Sequence, residues 1–234
     1  MSRWLHAGLG WTAGVVLGFL VSIAGDAQGQ QDPLCTFLGG CEFEAPGFTI
    51  RVVDEQTGQP VPDAHAIAVW VRYGMYGRTG PLMALEAVSS ADGTLTFPAW
   101  GPLRGGTGLM PGRDPAISIF KPGYRALLLH NATPLGQPDS ARVHAFRLAG
   151  RRVELARFQG TPTETVAELR KAATPLEASG PSVDHPASIR QVYVHRLRLV
   201  RAEAERLPRN LADVEALFWQ LDSSIRLFNA GGGS

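Results

Sequence analysis

Three short phrases, each built around a turn, constrain the fold of this chain more than any other feature. In chain order they are D-E-Q-T-G-Q-P-V-P-D-A at 54–64, A-D-G-T-L-T-F at 91–97 and K-P-G-Y at 121–124. Aspartate and glycine favour tight turns, and the residues around each phrase belong to the β-branched and aromatic types that suit a strand. Short strands separated by regular turn signals predict an antiparallel β-sandwich.

The sandwich is expected to span residues 47–158, with 153–158 as a candidate last strand. Seven strands are predicted, near 48–54, 64–73, 83–89, 94–97, 116–121, 124–130 and 142–148. The pair Asp92-Gly93 lies between two of them and is a strong hairpin signal.

The order of the three phrases resembles that of the carboxypeptidase regulatory-like domain, a seven-stranded transthyretin-like β-sandwich. The resemblance covers roughly residues 47–150, less than half of the chain. The chain departs from the minimal domain in two longer, glycine-rich stretches, at 73–81 and 101–115. What the resemblance implies is a non-catalytic module of the kind found on exported bacterial proteins.

The six histidines, at positions 6, 65, 130, 144, 185 and 195, bear on whether the chain is a metal-dependent enzyme. None starts an H-x-x-E pattern, and the sequence contains no H-E-x-x-H, no G-x-S-x-G and no phosphate-binding loop. His65 lies among small apolar residues, which favours a packed or rim histidine over a ligand. His130 and His144 could face each other, but two histidines without a carboxylate or thiolate make a poor metal site. We expect neither an enzyme nor a bound metal or cofactor.

The charge of the chain excludes another class of function. A formal net charge of +1 at pH 7 gives no basis for binding nucleic acid. The expected partner is another protein or a component of the cell envelope.

The N-terminus has the features of a secretory leader over residues 1–27. Arg3 and His6 precede an uncharged stretch at 7–25, and small residues such as Ala24 and Ala27 permit cleavage. The sequence therefore predicts an exported protein, periplasmic or extracellular. The alternative is an uncleaved inner-membrane anchor formed by residues 7–25, since about 20 apolar residues can span a bilayer.

An N-terminal arm at 28–46 contains the two cysteines, Cys35 and Cys41. In an oxidising compartment an even pair this close most simply forms a local disulfide. The predicted bond would hold the arm beside the first strand.

Residues 159–228 have helical periodicity, and 229–234 form a glycine-rich tail. Apolar residues recur at helical spacing over 163–173, over 189–207 and over 211–228, and Pro208 separates the last two helices into a hairpin. The apolar stripe of the last helix is wider than one partner helix can cover, so we expect the hairpin to dock on the sandwich or on a partner subunit. Arginines of the preceding helix alternate with glutamates, which is typical of a solvated face; they are Arg190, Arg196, Arg198, Arg201 and Arg206.

Aromatic residues offer one further candidate surface. Trp70, Tyr73, Tyr76 and Trp100 either form a platform for a sugar or peptide or fill the core of the sandwich, and Trp219 is expected at the edge of the helical hairpin.

The sequence leaves three functional classes open. They are a non-enzymatic module that binds a protein or envelope component, a carbohydrate-binding sandwich, and a metal-dependent hydrolase or its accessory.

Overall fold

The chain is mainly β, with helices at its C-terminus. In the computed structural model the described residues are 42–74, 77–104, 110–111, 115–129, 146, 148–174 and 186–230. The strands are β1 (Glu42–Ala45), β2 (Phe48–Asp54), β3 (His65–Gly74), β4 (Gly77–Val88), β5 (Thr94–Phe97), β6 (Trp100–Arg104), β7 (Met110–Pro111), β8 (Ala116–Phe120), β9 (Leu127–Leu129) and β10 (Arg152–Leu155). The helices are α1 (Pro162–Ala173), α2 (Ala187–Ala204) and α3 (Ala212–Ala230).

Most of the strands fall into two sheets. One has the order β4-β3-β8-β9, with β7 also paired to β3, and the other has the order β10-β2-β5. A separate two-stranded ribbon joins β1 and β6. Side chains of both sheets meet in one hydrophobic core, which includes Ile50, Phe97, Ala66 and Ile119.

The seven predicted strands are recovered only in part. The strand expected at 83–89 is the second half of the longer β4, and β1, β6 and β7 were not predicted. In the strand expected at 142–148, Phe146 has no regular structure and Leu148 lies in a turn, while the rest of that segment is outside the described residues.

The expectation of an entirely antiparallel arrangement is wrong at one pair, because β10 runs parallel to β2. The backbone amide of Gly150 donates to the carbonyl of Thr49, which lies near the start of β2. The chain therefore enters β10 at the end where β2 begins, and the two strands must run in the same direction.

The first and third phrases meet at the buried carboxylate of Asp54. Its Oδ1 accepts hydrogen bonds from the backbone amides of Gln56 and Thr57 and from the Thr57 hydroxyl, and its Oδ2 accepts from the Tyr124 hydroxyl and Arg157 Nε. The backbone bond from Thr57 contributes most to holding the pKa of Asp54 well below its usual range, against the opposing effect of burial. The aspartate of the first phrase is thus a structural anchor for the turn of the third.

The second phrase closes the turn before β5. Asp92 accepts bonds from Ser90 and Thr94, and these hold its pKa at about 2. Gly93 has a φ of 80°, and a Cβ at this position would lie 2.3 Å from the carbonyl oxygen of Val52. The close approach explains why glycine follows the aspartate.

Residues 65–71 of the strand β3 are buried on both faces of the sheet, which accounts for their nearly continuous apolar sequence. Ala66, Ala68 and Trp70 point into the core between the sheets. On the opposite face, Ile67 packs with Tyr193 of α2 in a second cluster.

The three helices cover this outer face of the sheet and form a third layer. α1 begins with a capping box, in which Thr161 and Glu164 each bond the other's backbone amide. Leu169 of α1, Leu197 of α2 and Leu217 of α3 share a third cluster with Phe120 of β8. The prediction that the hairpin docks back on the β region of the same chain is confirmed.

Several predictions lie outside the described residues, and the structure does not test them. They are the leader, the disulfide between Cys35 and Cys41, Tyr76, the pair His130 and His144, and residues 231–234 of the tail. Within the described ranges, each helix is too short or too polar to cross a membrane.

Candidate functional site

A polar cluster lies where the helices meet the larger sheet. His65 pairs with Val88 of β4 on one side and with Phe120 of β8 on the other. Glu86 and Ser118 each lie two residues from those partners, so they occupy the same face of the sheet as His65. The pairing register therefore places a histidine, a carboxylate and a hydroxyl together under α2.

Arg196 of α2 projects into this cluster and is buried, with 2% of its surface exposed. Its Nε donates to His65 Nδ1 at 2.8 Å, and Nη2 donates to the carbonyl oxygens of His65 and Ser118 at 2.9 Å each. Nη1 donates to the Ser118 hydroxyl at 3.0 Å and to the Ala172 carbonyl at 3.4 Å. All five N–H groups of the guanidinium are thus used, and one side chain links α2 to β3, β8 and α1.

The contact with Arg196 determines the protonation of His65. Because the guanidinium can only donate, His65 Nδ1 must accept, and the ring proton lies on Nε2. Nε2 is 3.2 Å from Glu86 Oε2 and donates to it. Burial, together with the charge of Arg196, lowers the pKa of His65 to about 4, so the imidazole is neutral at pH 7. The pKa of Arg196 is lowered by burial to about 9, which leaves the guanidinium charged at neutral pH.

Glu86 links the buried His65 to the half-exposed His195 through hydrogen bonds to both rings. Its Oε2 also accepts from Nδ1 of His195, which is 2.8 Å away. Burial works to raise the pKa of Glu86, but the hydrogen bonds from His195 and His65 outweigh it, and the pKa lies below its ordinary value. The carboxylate is therefore ionised at neutral pH, and it orients the half-exposed ring of His195 so that Nε2 is its remaining polar atom.

The three groups His65, Glu86 and His195 lie close enough to share a metal ion, since their ligand atoms are all within 4.8 Å of one another. A histidine that binds a metal usually donates its other ring N–H to a carboxylate or carbonyl. His65 has the opposite arrangement, because its second nitrogen faces the donor Arg196 Nε and the buried positive charge of the guanidinium. The donor chemistry fits a hydrogen-bonded chain better than a metal centre.

An open basin of about 460 Å³ adjoins His195. It lies between β4, α2 and the end of α3, and its polar lining residues are Glu86, Ser188, Gln191, His195, Arg198 and Asn229. The basin thus combines a histidine of defined orientation with a guanidinium and two amides. This set can accept and donate hydrogen bonds to a polar ligand or protein surface.

Of the aromatic residues in the predicted platform, the structure describes the rings of Trp70 and Trp100, and these two do not form one exposed surface. Trp70 is 2% exposed and lies in the core, with its ring 5.3 Å from that of the partly buried Trp100 at an interplanar angle of 76°. For Trp70 the platform is therefore wrong, and the alternative of a core residue is confirmed. Tyr73 lies in β3, where its backbone pairs with Met110. Trp219 is 72% exposed on α3.

Sequence reasoning missed the roles of Arg196, Glu86 and His195. The expectation of a solvated arginine face is wrong at Arg190 and Arg196, which are both buried. Arg196 lies three residues after Tyr193 and four before Val200, and this spacing places it within the apolar stripe of α2. Its position within the apolar stripe indicates a buried side chain. Because arginine is usually exposed, Arg196 was expected on the solvated face instead.

Neither models of known protein families nor curated proteins match this chain.

Proposed function

We propose that the chain is a non-enzymatic, exported module that binds a protein or a component of the cell envelope. We also propose that residues 47–158 are related to the transthyretin-like sandwich of the carboxypeptidase regulatory-like domain. This relation is supported by the contact of the first and third phrases at Asp54, because a shared structural role explains why the two phrases occur together. Export is supported by the leader-like sequence at 1–27.

The basin beside His195 is the observation that carries the binding role. A half-exposed histidine is ordinarily free to rotate, but here Glu86 holds the ring of His195. Glu86 is held in turn by His65, and His65 is held by Arg196. A preordered polar group loses little conformational entropy when a partner binds. The basin is open enough for a loop or side chain of a macromolecular partner.

A catalytic reading has one argument in its favour, since a carboxylate that orients a histidine is also the arrangement of a general base. Ser188 provides the hydroxyl that lines the basin, but it precedes His195 by seven residues on the same helix. Seven residues correspond to about 10 Å along a helix, which exceeds hydrogen-bond reach. The histidine therefore lacks a nucleophile among the residues described around the basin, and binding accounts for the geometry better.

Carbohydrate binding through aromatic stacking would require exposed and coplanar rings. Trp70 and Trp100 meet edge to face, and Trp70 is buried. The observations therefore favour a protein or polar envelope component over a stacked sugar.

The proposal can be tested by photo-crosslinking in living cells. A photoreactive amino acid is placed at Gln191, which lines the basin, and at Thr96, an exposed position on β5, as the matched control. We expect a discrete adduct at position 191 and none at 96, and the adduct should be lost in His195→Ala. Equal labelling at both positions, or an adduct that persists in His195→Ala, would refute the basin as the binding site.

A further inference from the structure

The outward face of α3 forms a narrow seam that the rest of the described structure leaves uncovered. Ala216, Trp219, Ser223 and Leu227 follow one another at helical spacing on this face, and Trp219 and Leu227 are 72% and 55% exposed. The opposite face of α3, with Leu217 and Leu221, is buried against the other helices. The seam is thus an addition to the docked face and takes no part in the core.

Two opposite charges border one edge of the seam. At 100° per residue, Glu215 and Arg226 lie 20° apart around the helix and about 16 Å apart along it. Both are exposed, and neither forms an ion pair with another residue in the described part of the chain; Arg226 Nη2 reaches only the hydroxyl of Ser223, at 3.2 Å. Ala216 and Leu227 lie together on the other edge.

We propose that the seam pairs with the same seam of a second copy of the chain, with the two α3 helices antiparallel about a two-fold axis near residue 221. Such an axis brings each edge of the seam against the same edge of its partner. It places Glu215 of one copy opposite Arg226 of the other, and it does so twice.

The same axis matches large side chains with small ones. Trp219 faces Ser223 of the second copy, and Leu227 faces Ala216. A large side chain therefore packs against a small one at each of these positions, and the two Trp219 side chains do not overlap.

A parallel pair would lose both kinds of complementarity. In a parallel two-fold arrangement opposite edges meet at the same height, so Glu215 would face Ala216 and Arg226 would face Leu227. The two Trp219 side chains would also meet each other. Charge and size thus both select the antiparallel arrangement, and they identify the occupant as a second copy rather than an unrelated helix.

The contact is small. α3 has 19 residues and is about 28 Å long, so one helix face buries less than the ~800 Å² per partner of a stable complex. We therefore expect a reversible dimer with a Kd of roughly micromolar or weaker. No residue of the seam lines the basin at His195, whose only α3 lining residue among those described is Asn229, so the dimer and the proposed binding role depend on different side chains and can each fail without the other.

Sedimentation velocity of the purified full-length chain, from about 1 to about 300 μM, measures this equilibrium directly. We expect Trp219→Ala to abolish the dimer in this range. Glu215→Arg and Arg226→Glu should each weaken it roughly tenfold or more, because each creates two like-charge contacts. The double variant carrying both reversals should restore dimerisation to near the wild-type level.

Arg206→Glu is the control for Arg226→Glu, since it makes the same change in net charge at an exposed position outside the seam. A wild-type chain that stays monomeric at all concentrations would overturn the proposal. So would self-association that is unaffected by the reversals, as expected if the apolar N-terminal segment drove it. A Trp219-dependent complex with a different protein, without self-association, would also overturn it.

Discussion

Replacing Arg196 by methionine tests whether the buried guanidinium holds the helical layer on the sheet. Methionine has a similar length and keeps most of the packing against neighbouring side chains, but it donates no hydrogen bond. The substitution leaves His65 Nδ1 and the carbonyl oxygens of His65 and Ser118 without their donor in a buried environment.

The expected loss of stability follows from these contacts. A buried polar group left without a partner costs about 1–3 kcal/mol, and five acceptors lose a donor, three of them from bonds of 2.9 Å or less. The variant also avoids the cost of burying a guanidinium, which is itself several kcal/mol and offsets part of that loss. We expect a net decrease of about 3 kcal/mol in the free energy of unfolding. This value is comparable to the cost of about 3–5 kcal/mol for removing one partner from a buried ion pair in other proteins.

Urea denaturation followed by circular dichroism measures this difference. Arg198→Met is the matched control, because Arg198 lies on the same helix but is exposed, and a surface substitution is expected to change stability by less than about 0.5 kcal/mol. If Arg196→Met were no less stable than Arg198→Met, the guanidinium would contribute nothing net to the fold, and the reasoning would be wrong.

Two further predictions concern other buried polar groups. Because the pKa of His65 is about 4, against an ordinary 6.5, the folded chain resists a proton that the unfolded chain accepts. The contribution of His65 to the free energy of unfolding should therefore be complete above pH 6.5 and fall by up to about 3 kcal/mol as the pH approaches 4. In a series of urea denaturation midpoints over this pH range, His65→Gln should reduce the dependence of the midpoint on pH. An unchanged dependence would assign the effect to other groups. Asp54→Asn should lower Tm much more than Asp92→Asn, because the new amide group would direct N–H donors at the donors Tyr124 and Arg157, whereas Asp92 is exposed. Equal Tm shifts of the two variants in differential scanning fluorimetry would contradict the structural role of Asp54.

Local chemistry made the turns of this fold predictable. Asp54 bonds Thr57, and Asp92 bonds Thr94, so both turns are determined by residues at most three positions apart. The helices were equally accessible, because their apolar spacing and the break at Pro208 lie within short windows of sequence.

The parallel strand and the polar cluster depend on distant parts of the chain. Where β10 enters its sheet is decided by the path of the whole chain rather than by its four residues. The contact of Arg196 with His65 joins residues 131 positions apart, and the position of Glu86 depends on the register between β3 and β4. No short pattern encodes such pairs, and the alternation of arginines with glutamates on the helix predicted a solvated face instead of this buried contact.

The link between Arg196 and His65 also bears on the order of events during protein synthesis. At translation rates of about 5–20 residues per second, the 131 residues between them take on the order of ten seconds to be made. Throughout that interval the side chains of β3 that later face the helices, such as Ile67 and Val69, have no helices to cover them. Until α2 has left the ribosome, the nascent chain therefore exposes an apolar surface that is prone to aggregation. A chaperone that binds this surface would protect the chain.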